Sequence, residues 1–201
     1  MSDKKQIPTT DRLEAINQAM QRQIPAAFLQ DEHVFLRAIR EGDEILAARL
    51  ENHPDPRSEL FYALPSTQPE QADRLRSISK DPNTITLIIC RTENGEAIGQ
   101  VSFVRIDWVG RMATYYIGIA DQVNWGKGFG REATILMLDY AFNTLNLNRI
   151  QLHVSTENQR AVKLYKKLGF QEEGTLRQAM YHQGRYVDFY VMGILRSDWE
   201  K

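Results

Sequence analysis

The chain has 201 residues and a near balance of 25 basic against 26 acidic side chains. This length allows one domain with a sizeable core, and the balance of charge argues against nucleic acid or an anionic membrane as a partner. The single cysteine, Cys90, excludes an internal disulfide and is interpreted as a small core residue in an apolar run. Because no apolar run is long enough to span a bilayer and the N-terminus is too polar for a signal peptide, we expect a cytoplasmic protein.

The pattern of apolar, glycine and proline residues divides the chain into an N-terminal extension, residues 1–32, and one domain, residues 33–201. The extension is predicted to hold a short helix that ends before Pro25. In the domain, periodicity and turn signals predict these elements in chain order: a strand at 34–39, a helix from Gly42 to about Asn52, a looser helix from about Pro69 to Ser79 behind Ser66, strands at 84–91 and 97–106 around the turn Glu93-Asn94-Gly95, a strand at 112–120, a helix through Ala133 to Leu145, a strand at 149–155, a helix between Asn158 and Gly169, and strands near 172–181 and 185–195.

The run from Trp125 to Arg131 (WGKGFGR), between an apolar strand and an amphipathic helix, is the most informative segment. Its three alternate glycines let the backbone approach a ligand, and the free N–H groups of the first helical turn face that ligand with the positive end of the helix dipole. Such a site suits a phosphate or pyrophosphate, so the run predicts a nucleotide-like cofactor. The alternative is a glycine-rich connection without a ligand.

The spacing of this run separates it from two common phosphate motifs. A Walker loop requires Ser or Thr after its lysine, but Lys127 is followed by Gly128. A dinucleotide fingerprint needs its third glycine one residue later than Gly130 and an acidic residue about twenty positions on, where this chain has Arg149 and Ile150. The spacing therefore argues against a nicotinamide enzyme, which would bind NAD and contain a parallel sheet.

A second segment, residues 158–170 (NQRAVKLYKKLGF), supports the first. Asn158 suits the N-cap of a helix, and Gly169 suits the left-handed residue that ends one. An inward tyrosine on such a helix is, taken alone, more often a packing residue than a chemical one. The residues that share the inward face are Ala161, Leu164, Tyr165 and Leu168.

Together the two segments, WGKGFGREA and NxxAxxLYxKLGF, resemble the GNAT superfamily of acetyl-CoA-dependent N-acetyltransferases. More narrowly, the chain is similar to the subgroup that includes ribosomal-protein N-terminal acetyltransferases and spermidine acetyltransferases. The similarity runs from about Val34 to Trp199 and includes the closing pattern at 173–195. It implies an α/β (α+β) fold, in which a mixed, mostly antiparallel central sheet is flanked by helices and two strands splay apart at the acetyl-CoA site.

The resemblance also implies how the co-substrate acetyl-CoA is bound. Its pantetheine arm would bond to the strand before the glycine run and to the N-cap asparagine, and its pyrophosphate would lie on the N–H groups of residues 126–131. Lys127 or Arg131 would add charge there or simply be solvated, and Trp125 stands where the family consensus has Arg or Gln. The implied binding residues are Ile117, Gly118, Ile119, Trp125, Gly126, Lys127, Gly128, Phe129, Gly130, Arg131 and Asn158.

The implied chemistry is direct attack of an amine on the acetyl thioester, with Tyr165 as the general acid beside the leaving thiolate. At ordinary pKa values, full proton transfer from tyrosine to the thiolate is uphill by about 2 kcal/mol, so hydrogen-bond donation is expected to dominate. The base is unassigned, because many family members carry Glu where this chain has Thr114. By position alone, Glu157, His153 and Tyr116 are candidates, each with an equally good structural interpretation. The four histidines lack ligand spacing, so no metal is expected.

The acceptor is open among a protein N-terminus, a polyamine, an amino sugar and other small amines. Acidic residues of segment 41–59 would form a rim that attracts a cationic amine, or a solvated helix face: Glu41, Asp43, Glu44, Glu51, Asp55 and Glu59. Five aromatic residues would line a pocket or a subunit contact: Phe61, Tyr62, Trp108, Tyr181 and Tyr186. The resemblance makes a homodimer plausible, and the missing strand Glu keeps a non-catalytic acyl-CoA-binding domain as the alternative function.

Overall fold

The computed structural model describes residues 26–199, so the helix predicted before Pro25 lies outside the described residues. The elements, labelled in chain order, are β1 (Leu29–Gln30), β2 (Val34–Ala38), α1 (Asp43–Asn52), α2 (Pro54–Leu60), α3 (Gln68–Ile78), β3 (Ile85–Arg91), β4 (Ala97–Asp107), β5 (Met112–Ile119), α4 (Phe129–Asp139), β6 (Arg149–Ser155), α5 (Gln159–Lys167), β7 (Gln171–His182), β8 (Arg185–Leu195) and α6 (Arg196–Trp199). A short 3₁₀ turn, Gln122–Asn124, precedes the glycine run, and a π-helical segment, Tyr140–Thr144, continues α4.

The strands form one eight-stranded sheet in the order β1-β2-β3-β4-β5-β6-β8-β7. Neighbouring strands are antiparallel except β5 and β6, which run parallel. The prediction of a mixed, mostly antiparallel sheet flanked by helices is therefore confirmed. The parallel sheet expected of a nicotinamide enzyme does not occur within residues 26–199, so that hypothesis is wrong.

The strands β5 and β6 pair only at their N-terminal ends. Their ladder has three residue pairs, the last of which joins Thr114 to Gln151. Beyond this point β5 continues against β4 as far as Ile119, while β6 continues against β8 as far as Ser155. The two strands diverge, which leaves a gap inside the sheet with backbone groups of β5 that β6 does not pair.

Side chains of the sheet alternate between two apolar cores, as the period of a strand requires. The larger core includes Tyr115 on β5 and Met137 on α4, and it lies on the face covered by α4 and α5. The smaller core includes Phe35 on β2 and Leu50 on α1, and it lies on the opposite face. Ile117 and Ile119 of β5 pack on the larger core, whereas a Cβ at Gly118 would lie 3.3 Å from Leu50 of the smaller core, so the splayed end of β5 faces both.

Helix α2 was missed by the sequence pattern, because prolines at 54 and 56 usually mark a loop. Pro54 occupies the first turn of α2, where a missing N–H costs little. His53 caps the helix by accepting a hydrogen bond from the Asp55 N–H at 3.4 Å, and Phe61 ends it in the left-handed region with φ of 59°. The helix contacts β5 and contributes to the site described below.

Two other boundaries differ from the prediction. The cap of α3 is Thr67 rather than Ser66, since Thr67 and Glu70 form a reciprocal capping box. Strand β1 lies in the predicted extension, yet it pairs with β2 through Leu29 and Leu36. Ser66, which does not cap α3, bonds the side chain of Asn52 through its backbone N–H and carbonyl groups.

Candidate active site

A cleft of about 520 Å³ opens where β5 and β6 diverge, and we refer to it as the first cleft. Its size is within the usual range of small-molecule sites. Lys127, which is exposed, and Phe129, which is buried in the core, do not line it. The other predicted site residues do: Ile117, Gly118, Ile119, Trp125, Gly126, Gly128, Gly130, Arg131, Asn158 and Tyr165.

The glycine run enters α4 through two left-handed residues, Gly126 with φ of 72° and Gly128 with φ of 92°. Gly128 is the N-cap of α4, and a Cβ at either glycine would meet open space. The Arg131 N–H donates to the Gly128 carbonyl at 2.9 Å, so it is not free for a ligand. The N–H groups of residues 126–130 have no backbone partner within residues 26–199, and these are the groups that an anion can reach.

The side chain of Trp125 ties the glycine run to the splayed strand. Its indole Nε1 donates to the Ile119 carbonyl at 3.0 Å. The guanidinium of Arg160, in the first turn of α5, lies 4.4 Å from the centre of the indole ring. The indole and the guanidinium thus connect the two walls of the first cleft, with Trp125 in the position where the family consensus has Arg or Gln.

Tyr165 projects from α5 into the cleft and packs edge-on against Phe170, with ring centres 5.5 Å apart. Its side chain is only 8% exposed, and no hydrogen bond engages its hydroxyl in the described part of the chain. Burial raises the pKa of Tyr165 above its ordinary value, because the phenolate would lose its hydration. The hydroxyl is therefore a hydrogen-bond donor that keeps its proton and faces the cleft.

Asn158 is already engaged at both ends of its amide. Its Oδ1 accepts from the Ala161 N–H at 3.0 Å, which caps α5 as predicted. Its Nδ2 donates to Glu59 on α2 at 2.6 Å. This bond joins α2 to α5 across the cleft, and it leaves one amide hydrogen of Asn158 for a ligand.

A second cleft of about 370 Å³ lies on the other side of β5, between the sheet and helices α1 and α3. Three residues line both clefts, namely Leu60, Ile117 and Gly118, so the clefts meet at the splayed end of β5. The second cleft combines apolar side chains of the helices with polar side chains of β4, including Gln100 and Ser102. The sequence pattern did not reveal it, because its walls come from six separate elements, namely α1, α2, α3, β3, β4 and β5.

The structure separates the three candidate bases. Glu157 is paired with Arg185 on the β7–β8 hairpin, which lowers the pKa of the carboxyl group, and it lines neither cleft. His153 also lies outside both clefts, and its pKa is lowered by partial burial and by Arg105. Of the three candidates, only Tyr116 lines the second cleft.

The acidic rim expected over segment 41–59 is not continuous. Asp43 is buried and accepts two hydrogen bonds from the guanidinium of Arg37, at 2.7 and 2.8 Å. Glu51 is buried and is held by Gln71 and Arg74. The prediction of a rim is wrong for these two acids, because Asp43 pairs with the buried Arg37 and Glu51 pairs with the half-exposed Arg74.

The aromatic residues proposed for a pocket are also dispersed. Tyr62 lines the second cleft, whereas Phe61 packs against Phe189 with ring centres 4.9 Å apart. Tyr181 and Tyr186 pack edge-to-face against each other on the exposed hairpin. The indole N–H of Trp108 donates to the Pro82 carbonyl at 3.1 Å, away from the other four. These side chains form no common aromatic pocket.

Among residues 26–199, no group of three or more His, Cys, Asp or Glu side chains is placed to hold a metal ion. No helix in the same range is long and apolar enough to cross a membrane.

Fold and site together are those of a GNAT acetyltransferase. The family model described as the acetyltransferase (GNAT) domain matches residues 33–171, and the chain belongs to this family. The spermidine N(1)-acetyltransferase of Vibrio cholerae is 35% identical over 164 residues, which are 82% of this chain and 94% of that protein. The corresponding enzyme of Escherichia coli is 40% identical over 106 residues, or 53% of this chain and 56% of that protein.

A solved structure agrees with the sequence comparison. Spermidine N-acetyltransferase from Vibrio cholerae, in complex with CoA and spermine, superposes with a TM-score of 0.78 at 33% identity, covering 84% of this chain and 98% of that chain. The predictions of a GNAT fold and of an enzyme that transfers an acetyl group from acetyl-CoA to an amine are confirmed. The open glycine run and the unpaired edge of β5 fit this co-substrate, whose phosphates and amide-rich arm need such groups.

Proposed function

We propose that the acceptor is a small aliphatic primary amine, that it binds in the second cleft, and that Tyr165 assists departure of the thiolate. The observation that carries this proposal is the junction of the two clefts at Ile117 and Gly118. An amine in the second cleft and a thioester in the first reach each other only there. Tyr165 lines the first cleft, where the thioester would lie.

The composition of the second cleft supports an amine that arrives without its proton. Glu51 and Arg74 are its only charged side chains among the described residues, and they pair with each other. The remaining wall includes Leu50, Leu75 and Ile78. In water, only about one molecule in a thousand of an alkyl amine is neutral at pH 7. Burial beside such groups lowers the pKa of its ammonium form and so raises the neutral fraction. This desolvation replaces the carboxylate base that Thr114 cannot supply.

The proposed step conserves atoms and protons. The lone pair of the amine nitrogen forms the new C–N bond at the thioester carbonyl, and the C–S bond breaks with its electron pair on sulfur. The nitrogen loses one proton to water, and the thiolate gains one from water. Tyr165 donates a hydrogen bond to the sulfur as negative charge develops there, which stabilises the transition state more than the ground state.

The acceptor is tested by release of free thiol from acetyl-CoA in the presence of different amines. We expect turnover with spermidine, spermine and a simple alkyl diamine, and at least about tenfold lower kcat/KM with a peptide bearing a free N-terminus, because its backbone does not fit the narrow cleft. Spermidine and spermine are tested first, since related enzymes are named for or crystallised with them. Preferred turnover of the peptide would overturn the proposed acceptor class.

The position of the acceptor is tested by filling the second cleft. Gln100→Trp adds bulk to a residue that lines this cleft but not the first. We expect the KM for the amine to rise by about tenfold or more while the Kd for acetyl-CoA stays within about twofold. A change in acetyl-CoA affinity with unchanged amine KM would place the acceptor elsewhere.

The pH dependence of turnover follows from the protonation states of the amine and of Tyr165. Below the pKa of the amine, kcat/KM is expected to rise by about tenfold per pH unit, because the neutral amine is the reactive form. Burial raises the pKa of Tyr165, so the hydroxyl stays protonated and no descending limb is expected below about pH 10. A profile between pH 6.5 and 10 checks this, and a fall that disappears in Tyr165→Phe would contradict it.

A further inference from the structure

The first cleft contains more cations than its glycine run needs for one diphosphate. Four basic side chains line it, namely Arg131 on α4 and Arg160, Lys163 and Lys167 on α5. None of these four forms an ion pair with a residue in the range 26–199. Lys166, which lies in the same helix outside the cleft, is by contrast paired with Glu172 at 3.2 Å.

The three cations of α5 form a row, which we refer to as the α5 row. Arg160, Lys163 and Lys167 are three and four residues apart, so they follow one side of the helix over a rise of about 10 Å. The first of them is fixed at the glycine run by the ring of Trp125. The α5 row therefore begins beside the glycine run, and its other two members line the same cleft.

The charges divide into two groups by their place in the cleft. The N–H groups of residues 126–130 and the side chain of Arg131 belong to the glycine run and the first turn of α4, where a diphosphate would be bound by backbone and dipole. The α5 row lies on the opposite wall and adds three charges without backbone donors. Guanidinium and ammonium groups without acidic partners are typical of a site for a separate phosphoryl group.

Coenzyme A carries such a group, the phosphate on the 3′ oxygen of its ribose, with a charge close to −2 near neutral pH. We propose that the α5 row binds this 3′-phosphate, so that the enzyme selects acetyl-CoA over its 3′-dephospho form. The proposal rests on the proposed function, because it places the co-substrate in the first cleft. It assigns the specificity for the nucleotide end of the thioester to α5 rather than to the glycine run.

The test measures the Kd of CoA and of 3′-dephospho-CoA by calorimetric titration. The unmodified protein is expected to bind CoA at least about tenfold more tightly than 3′-dephospho-CoA. The variant Arg160→Gln, Lys163→Gln, Lys167→Gln is expected to lose this preference by weakening CoA alone, with the Kd of 3′-dephospho-CoA within about threefold of the unmodified value. Lys166→Gln removes one charge from the same helix outside the cleft and is expected to keep the preference.

Two results overturn the assignment. Equal affinity of the unmodified protein for both ligands means that no group reads the 3′-phosphate. An equal loss of affinity for both ligands in the triple variant means that the α5 row acts only through its electrostatic field and does not recognise the 3′-phosphate. Failure of the proposed acceptor chemistry is recognised separately, because these titrations contain no amine and do not depend on turnover.

Discussion

Replacing Tyr165 with Phe is expected to lower kcat by about 100-fold, the usual contribution of a positioned proton or hydrogen-bond donor. The change removes only the hydroxyl that faces the first cleft and keeps the ring that packs against Phe170. Because this hydroxyl has no hydrogen-bond partner among the described residues, its loss should change the free energy of unfolding by less than about 1 kcal/mol. Steady-state kinetics, with acetyl-CoA affinity measured by titration, would separate the turnover from the binding.

Tyr115→Phe is the matched control. Tyr115 is also a buried tyrosine, but its hydroxyl bonds Thr134 at 2.8 Å and does not line the cleft. We expect this variant to lose about 1 kcal/mol of stability and to keep kcat within about twofold. Equal kcat values for Tyr165→Phe and the unmodified enzyme would reduce Tyr165 to a packing residue.

The variant Gly128→Val is expected to weaken acetyl-CoA binding by about 30-fold or more. A valine at φ of 92° is strained by about 1–2 kcal/mol, and its side chain would occupy the open space in front of the α4 amides. The loop would then have to move, and the amides would lose their common orientation toward the phosphates. Titration with acetyl-CoA measures the affinity directly.

Gly184→Val separates backbone strain from loss of the phosphate site. Gly184 has φ of 85°, also faces open space, and lies in the turn between β7 and β8. Both variants should lose a similar amount of stability in a denaturant titration, while only Gly128→Val loses affinity. Unchanged affinity in Gly128→Val would move the phosphate site away from the glycine run.

The part of the site proposed to bind the co-substrate was predictable because its signals are local. The glycine run and the α5 segment are each contiguous, and capping residues mark their ends. Asn158 as the N-cap and Gly169 with φ of 97° both occur where the pattern placed them. The α5 row is visible in the same segment at helical spacing. That it faces the cleft follows only from the structure, where the glycine run forms the opposite wall.

The part proposed to receive the acceptor was not predictable, because it depends on contacts between distant segments. Two prolines concealed α2, which contributes Leu60 to the wall that the two clefts share. Glu51 gave the signal of a solvated helix face, and only its contacts with α3 show that it is buried. A charge pattern along one helix does not reveal which carboxylates a neighbouring helix neutralises.

The three-residue ladder between β5 and β6 has a consequence for the unliganded enzyme. An ordinary sheet of this size would continue that ladder to the ends of both strands, so this protein folds with part of its backbone pairing left unmade. In the binding mode proposed above, the amide-rich arm of acetyl-CoA would supply the missing partner along β5 in the manner of a temporary strand. Each turnover would then complete the sheet when the thioester enters and reopen it when CoA departs.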